Sequence, residues 1–268
     1  MRVTSHLLTK ERDSIILGRG NDVGQHINKG VINKLQAVAW EINEEILPYI
    51  SDKLDPSEEP LSAFEEAERL KSFKLRDKET DVIIDYLLEN DNRFYFGWKY
   101  DARGRSYSQG YHINIQANEY RKAMISYADK ELLTPEGETY LRIDIANHLG
   151  YDKETWGTRL LKASEVIKAI FASGELDVDT MLAYKATASS PLLFVKAIFA
   201  WKNGVLLKQP IGHNCALDST ASGLQVMSAL SGCCTTARNT NIHAKVTREY
   251  TEEVAEKLAE LEAELASL

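Results

Sequence analysis

Two short strand-like segments, residues 93–100 and 211–218, are separated by about 110 residues of mostly helical pattern. The first, RFYFGWKY, is aromatic and typical of a strand. The second, IGHNCALD, has small and apolar residues before an aspartate, which predicts a short buried strand. A break in the helical pattern is expected near 189–191, because proline removes a donor and disfavours helix in the residue before it. Few strands, far apart in sequence, among many helices indicate a mainly helical α+β fold.

Apolar side chains at helical spacing, with proline, glycine and capping residues at the ends, predict the helices. They are expected at residues 31–50, 61–72, 78–90, 118–128, 135–149, 155–173, 179–203 (with the break) and 242–268. A second short strand is expected at 111–117, YHINIQA, and the polar segment SDKLDPSEEP predicts a linker. The predicted domains are an arm, helix and acidic linker (1–60), a core with both strand-like segments (61–240) and a C-terminal helix (241–268).

The net charge of −8 is unevenly distributed. Residues 51–70 and 249–268 are strongly acidic, and the rest of the chain has a positive balance, so a nucleic-acid partner is compatible with the acidic total. Three cysteines form neither a disulfide framework nor a zinc set, which indicates a reducing compartment. No apolar run is long enough to span a membrane, and we expect no membrane partner.

The first strand-like segment ends in DARGR, residues 101–105. Arginine forms planar bidentate contacts with phosphate that lysine does not reproduce, and Gly104 would let the backbone approach a bulky ligand. Asp101 could orient one of the two guanidinium groups. A solvated surface turn would have the same composition. This motif alone therefore leaves two interpretations, a turn or a clamp for a phosphate backbone.

The second segment ends at Asp218 and is followed by the small residues STASG and a helix from about Ser222. A carboxylate at the end of a buried strand needs a cation, a cage of hydrogen bonds or access to solvent. Small residues after it would let a ligand and backbone carbonyls approach closely. Asp218 is thus either a metal ligand or the cap of the following helix.

Taken together, in this order and spacing, the two motifs resemble those of the single-subunit phage and mitochondrial RNA polymerase family. That family has a D-x-x-G-R element after a strand, and the acid of the second segment belongs to motif A of its palm. The likeness covers roughly residues 31–258. Other segments that resemble the family are 35–47, 130–150, 190–201 and 248–258. The resemblance implies a partial polymerase right hand, namely the palm portion with its connecting helices.

The resemblance also implies roles for single residues. Asp218 would be one of two carboxylates that hold the catalytic Mg²⁺ ions, and the carbonyl of Ser219 would be a further ligand. Two such ions stabilise the attacking and leaving oxygens of phosphoryl transfer. The residues implied to contact template, transcript or their hybrid are Arg103, Gly104, Arg105, Lys122 and Tyr250.

Some parts of the family pattern are missing from these residues. The family's fingers helix carries a Lys and a Tyr that bind the nucleoside triphosphate, and a palm hairpin carries a second metal-binding Asp. Residues 231–268 contain neither pattern. One carboxylate does not satisfy two Mg²⁺ ions, which prefer six oxygen ligands each. The resemblance therefore implies a second subunit that supplies both parts, as in two-subunit phage enzymes divided after motif A, and a chain that is inactive alone.

The C-terminal segment has an apolar seam on a glutamate-rich background. Its members are spaced four, three and four residues apart, as on one face of a helix. They are Val254, Leu258, Leu261 and Leu265. A surface helix packed on its own core would show the same spacing. Because the family's chain continues into the fingers at this point, we interpret the seam as a docking surface for the partner subunit.

The expected function is that of a subunit of a heterodimeric DNA-dependent RNA polymerase in the cytoplasm of an infected bacterial host. Its substrates would be a DNA template, an RNA transcript and ribonucleoside triphosphates. The alternatives are a non-catalytic nucleic-acid-binding scaffold, a fragment of a family-A-like DNA polymerase and a metal-dependent nuclease. Family-A enzymes have a glutamate shortly after the motif A aspartate, and residues 219–223 contain none. A nuclease would need acids near Asp218, yet the next one downstream is Glu249.

Overall fold

The computed structural model describes residues 29–54, 56–57, 59–101, 105–215 and 222–240. Its backbone divides into two compact units. Unit 1 comprises residues 1–134 and 185–213, and unit 2 comprises residues 135–184 and 214–268. The predicted helix at 242–268 lies outside the described residues. The domain division at 60 and 240 stays a prediction.

Helices dominate, with five short strands between them in the described part of the chain. The α-helices are α1 (Lys29–Ala37), α2 (Ala63–Glu89), α3 (Glu119–Ala123), α4 (Pro135–Ala146), α5 (Trp156–Ile170), α6 (Val178–Thr187), α7 (Pro191–Trp201), α8 (Ser222–Ser231) and α9 (Cys234–Asn239). The strands are β1 (Ala39–Ile42), β2 (Phe94–Tyr95), β3 (Gly97–Tyr100), β4 (Ser106–Gln109) and β5 (Ile125–Tyr127). The predicted mainly helical α+β fold is confirmed.

The three-stranded sheet of unit 1 is antiparallel, in the order β2-β1-β5. Trp40 in the central strand lies opposite Phe94 on one side and Tyr127 on the other. The Trp40 and Tyr127 rings are 4.6 Å apart between centroids, a cross-strand aromatic pair of the kind that stabilises sheets. Asn92 holds the end of β1, because its side chain accepts from the Ile42 amide at 2.8 Å and donates to the Ile42 carbonyl at 2.7 Å.

The helix predicted for residues 31–50 is wrong after residue 37. α1 ends at Ala37, β1 follows at once, and a 3₁₀ helix occupies Glu44–Tyr49. The apolar side chains that suggested one helical face are spread over three elements; Ile42, for example, is buried in β1 and Ile46 in the 3₁₀ helix. The partner strands of β1 lie far along the chain, so their hydrogen bonds leave no trace in the local pattern.

α2 unites two segments that were predicted as separate helices. It begins with a capping box, in which Ser62 Oγ accepts from the Glu65 amide and the Glu65 carboxylate accepts from the Ser62 amide. Neither proline nor glycine occurs between residues 63 and 89. Nothing in the covalent chain therefore interrupts the helix between the two predicted segments.

In unit 2, α4 and α5 pack through Ile143, Leu160 and Trp156. α4 begins at Pro135, as predicted, and a π-type turn follows it. Gly150 has a φ of 106° in that turn, a left-handed conformation that glycine adopts without strain. α4 itself ends at Ala146, before the predicted end at residue 149, and Gly150 lies within the π-type turn that follows.

The predicted break near residues 189–191 is confirmed, since α6 ends at Thr187 and α7 begins at Pro191. Among the described residues, none of the helices combines the length and the apolar character needed to cross a bilayer.

Candidate nucleic-acid interface

Asp101 and Arg105, the first and last residues of the D-x-x-G-R motif, lie at one end of the β-hairpin formed by β3 and β4. β3 and β4 pair over four residues each, and the turn is closed on both sides by Asp101 and Arg105. The Asp101 amide donates to the Arg105 carbonyl at 2.9 Å, and the Asp101 carboxylate accepts from the Arg105 amide at 3.0 Å. Arg105 is exposed to solvent. Arg103 and Gly104 lie outside the described residues.

Side chains from neighbouring segments fix the hairpin. On β3, the Trp98 amide donates to Gln36 Oε1 of α1 at 3.1 Å. On β4, the Ser108 amide donates to Gln116 Oε1 at 2.7 Å, and Asn114 Nδ2 donates to the Ser108 carbonyl at 3.1 Å. A turn held by its own carboxylate and by two neighbouring segments presents Arg105 from a fixed backbone.

The strand predicted at 111–117 is wrong, because this segment is a loop and the second strand of the hairpin is β4. Asn114 and Gln116 use their side chains to bond the edge of β4 instead of pairing through their own backbone. Gly110 marks the tight turn: a Cβ there would lie 2.2 Å from the Ile113 carbonyl oxygen. The glycine before two alternating amide side chains was the sequence signal for this loop.

Lys122, the second predicted contact, lies on α3, which is locked to α7 at both ends. The Glu119 carboxylate accepts from the Leu192 amide at 2.7 Å and so caps the start of α7. In the other direction, Lys196 Nζ donates to the Lys122 carbonyl at 3.1 Å and to the Ile125 carbonyl at 2.5 Å. Sequence reasoning missed Glu119 and Lys196; a lysine within the apolar run PLLFVKAIFAW was the available signal.

Lys122 and Arg105 lie on different elements of unit 1. In the described part, neither side chain is recorded in an ion pair. Lys122 is half-buried and Arg105 is exposed. Both cations are therefore free of carboxylate partners within that part of the chain.

The segment that leads into motif A runs beside β5. Ile211 and Glu131 exchange both backbone hydrogen bonds, and the Gly212 carbonyl accepts from the Tyr127 amide at 2.8 Å. A Cβ on residue 212 would lie 1.9 Å from the Tyr127 carbonyl oxygen, so only glycine permits this approach. The extended conformation predicted here is thus present at Ile211 and Gly212.

The prediction that Cys215 is buried in this strand is wrong, since its side chain is exposed and no regular strand is assigned at 212–215. The helix predicted from about Ser222 is confirmed as α8. The other predicted site residues lie outside the described residues. They are Asp218, Ser219, Tyr250, Val254, Leu258, Leu261 and Leu265.

Comparisons with known proteins give the family of the chain. A family model described as DNA-dependent RNA polymerase matches residues 131–264, half of the chain. A probable DNA-directed RNA polymerase of Agaricus bitorquis is 28% identical over 226 residues, covering 83% of this chain and 20% of that protein. T7 RNA polymerase of Escherichia phage T7 is 27% identical over 201 residues, covering 70% and 22%. The mitochondrial DNA-directed RNA polymerase of Schizosaccharomyces pombe is 26% identical over 156 residues, covering 57% and 13%.

The chain therefore spans about a fifth of the length of the first two relatives. The predicted location, the cytoplasm of an infected bacterial host, is wrong as an inference from the family. The relatives include fungal proteins, among them mitochondrial enzymes, as well as phage enzymes. They do not assign the chain to a phage infection.

The matched region begins beside the pairing of Glu131 with Ile211 and extends through the motif A residues and α8. The hairpin formed by β3 and β4 precedes the matched region in the chain. The chain belongs to the DNA-dependent RNA polymerase family that includes the phage T7 and mitochondrial enzymes.

Proposed function

We propose that the chain is a subunit of a heterodimeric DNA-dependent RNA polymerase. It would contact the template and transcript backbones and contribute one acid to the catalytic metal site, with ribonucleoside triphosphates as substrates. The observation that carries the proposal is the exposed Arg105 on a braced hairpin turn, in a chain whose motif A segment matches the family model.

Arg105 suits the backbone of a nucleic acid. A guanidinium makes two parallel hydrogen bonds to a phosphate, and such contacts position the nucleic acid without reading its sequence. Because both the amide and the carbonyl of Arg105 are hydrogen-bonded to Asp101, its side chain orders at a lower entropic cost than on a free loop. Arg103, Gly104, Lys122 and Tyr250 are proposed as further contacts on the family pattern.

Asp218 and the Ser219 carbonyl are the proposed Mg²⁺ ligands. Carboxylate and carbonyl oxygens are the hard donors that Mg²⁺ prefers, so the donor types fit the ion. Two donors are too few for a two-metal site, which needs at least one more carboxylate. Bound there, the ions would supply charge stabilisation for the attacking and leaving oxygens. This chain's part would be to hold one acid at the end of the segment aligned by Ile211 and Gly212.

We propose that a second polypeptide supplies the fingers Lys and Tyr and the second metal-binding Asp. The helix α8 supports this second polypeptide, because its apolar side chains face solvent and a polar one is buried. Four large apolar side chains of this helix are exposed: Leu224 (54%), Val226 (58%), Met227 (61%) and Leu230 (80%). Ser228 is buried instead, and Gln225 Nε2 donates to the Thr240 carbonyl at 2.6 Å. Surface helices normally show the reverse, and exposed apolar patches mark interaction surfaces.

The seam of Val254, Leu258, Leu261 and Leu265 is proposed as a further part of this docking surface. We infer that the chain alone does not polymerise nucleotides.

The test is Asp218→Asn in the complex reconstituted with the polypeptide that carries the missing parts. Ribonucleotide incorporation should fall by several orders of magnitude while the complex still forms, because the metal site loses a charged ligand. Asp179→Asn, an exposed acid in unit 2, is the matched control and should leave the rate unchanged. Full activity of the Asp218→Asn complex would instead identify the chain as a non-catalytic scaffold. Incorporation of deoxyribonucleotides in preference to ribonucleotides would favour a DNA polymerase.

A further inference from the structure

One cation of unit 1 is half-buried without an acceptor. Arg121 is the third residue of α3, and burial, then the charge of Arg76, lower the pKa of its guanidinium. Within the described residues, its Nε is buried without a hydrogen-bond partner, and its terminal nitrogens form neither a hydrogen bond nor an ion pair. Taking a charge out of water is costly unless the charge is paired. Arg121 therefore indicates an anion from outside this part of the chain.

The carboxylate whose charge acts on Arg121 is already engaged by other groups. Asp52 accepts from Arg76 Nη2 at 3.3 Å and from Asn118 Nδ2 at 2.7 Å. Asn118 in turn accepts from the Arg121 amide at 3.2 Å and so caps α3. Two guanidinium groups thus share one carboxylate, and this set of side chains keeps one positive charge.

An exposed aromatic ring lies in the same region. The side chain of Tyr111, in the loop after β4, is 71% exposed and interacts electrostatically with Arg121. Its ring packs edge-on against His112, with 4.8 Å between the ring centroids. His112 is tied to α2, because its Nδ1 shares a hydrogen bond of 3.2 Å with Thr80 Oγ1. The tyrosine is therefore braced by a neighbour and leaves most of its area to solvent.

Hydrogen bonds connect the ring and the guanidinium. Thr80 Oγ1 donates to the Arg76 carbonyl at 2.7 Å, so the helical turn that bonds His112 is also the turn that carries Arg76. From Arg76 the contacts lead through the Asp52 carboxylate towards α3 and Arg121. The exposed ring and the unpaired cation are thus held by the same turn of α2.

A guanidinium near an exposed aromatic ring suits one nucleotide of an unpaired strand. The cation pairs with the phosphate, and the ring stacks on the base. A base inside a duplex is already stacked on its neighbours and offers the ring no free face. An acidic peptide would use the cation but would leave the ring without a partner. A single strand uses both groups and is the ligand that the pair favours.

This region is separate from the end of the hairpin that carries Arg105. β4 runs from Ser106 to Gln109, with Arg105 before it and Gly110 after it. The extended chain between Arg105 and Gly110 is about 17 Å long. Tyr111 follows Gly110, so the two regions would contact different parts of a bound nucleic acid.

We propose that Arg121 and Tyr111 form a binding site for an unpaired nucleic-acid strand, with the guanidinium on a phosphate and the ring on a base. The inference rests on the polymerase function proposed above and adds to it a contact with single-stranded template or transcript. Phosphate contacts and base stacking do not read sequence, so the site would hold strands of any sequence.

The experiment measures binding of a fluorescein-labelled single strand of about 12 nucleotides to the full chain by anisotropy at several salt concentrations. DNA and RNA strands of equal length distinguish template from transcript. Arg121→Ala should weaken binding roughly tenfold and lower the slope of log affinity against log salt by about 0.7, because one phosphate contact is lost. Tyr111→Leu should weaken binding by about fivefold or more through lost stacking and leave the slope unchanged.

Tyr111→Phe keeps the ring and should bind the strand like the unmodified chain. Two matched controls change the same residue types elsewhere in unit 1. Arg93→Ala removes an arginine that already pairs with Asp129 at 2.8 Å, and Phe64→Leu removes an exposed ring of α2. Both should leave the affinity and the salt slope unchanged.

Unchanged binding of the single strand by either Arg121→Ala or Tyr111→Leu would overturn the inference. The polymerase function would stand in that case if Arg105→Ala still weakened binding to an RNA–DNA hybrid. A chain that binds neither the strand nor the hybrid would overturn both. Tighter binding of a glutamate-rich peptide than of the strand, lost in Arg121→Ala, would assign Arg121 to an acidic partner instead.

Discussion

α7 and α8 flank the same motif, yet they bury their side chains in opposite ways. Nine of the eleven residues of α7 are buried, including Phe194 and Trp201, and even Lys196 finds two carbonyl oxygens inside unit 1. α8 buries Ser228 and exposes its large apolar side chains. The region around the hairpin and α7 is therefore completed by this chain itself. The helix after motif A has an apolar face that another polypeptide would cover.

The largest expected effect is on α7. Phe194→Ala should lower the free energy of unfolding by about 4 kcal/mol, because the residue is fully buried and the substitution leaves a cavity. Thermal and urea unfolding of the free chain measure it. A decrease in the free energy of unfolding below about 1 kcal/mol would show that α7 is not packed in a core formed by this chain. The contrast with α8 would then fail.

On α8, a polar substitution should act on binding and not on folding. Leu230→Gln should change the free energy of unfolding by less than about 0.5 kcal/mol, since the side chain is already exposed. It should weaken association with the complementary polypeptide by roughly tenfold or more. The same substitution at Leu132, which is 65% exposed in unit 1, is the control and should leave association intact. If Leu230→Gln lowered stability and left association intact, α8 would be part of the chain's own core and not a docking surface.

If the hairpin region folds without the proposed second polypeptide, the free chain should bind nucleic acid. Arg105→Ala should weaken binding to an RNA–DNA hybrid to a similar extent for all sequences. It should also lower the slope of log affinity against log salt by about one unit, because one phosphate contact is lost. Fluorescence anisotropy at several salt concentrations measures both. Lys153→Ala, an exposed cation of unit 2, is the control, and an unchanged slope for Arg105→Ala would contradict the contact.

The smallest effect concerns the charge of Asp81 on α2, which lies between Asp77 and Asp85. Asp81→Asn should raise the melting temperature at pH 7 by about 1–3 °C, because it relieves repulsion with Asp77 and Asp85. The pKa of Asp81 is raised in the folded chain, so protonation stabilises the fold and the unmodified chain regains stability as the pH falls. The advantage of the variant should therefore vanish in acid. Glu89→Gln is the control, and an Asp81→Asn variant that melts at or below the unmodified chain would refute the repulsion.

The sequence correctly predicted the start of those helices that begin at a proline or a capping residue. Pro135 and Pro191 begin helices and Ser222 starts α8, each as expected from capping and backbone preference. The D-x-x-G-R motif was singled out through its composition and its order relative to the second strand-like segment, but its hairpin with β4 was not predicted. Elements that depend on distant partners were not predictable. β1 looked helical, and the loop that braces β4 looked like a strand.

The amino-acid sequence by itself determined the family, the order of its two motifs and the helical character of the region between them, because these depend on residue identity and short-range spacing. The tertiary structure decided which apolar segment became the central strand, which amide side chains hold the hairpin and which helix leaves its apolar face outward. Those outcomes depend on hydrogen bonds and burial between residues far apart in the chain, and no local pattern encodes them.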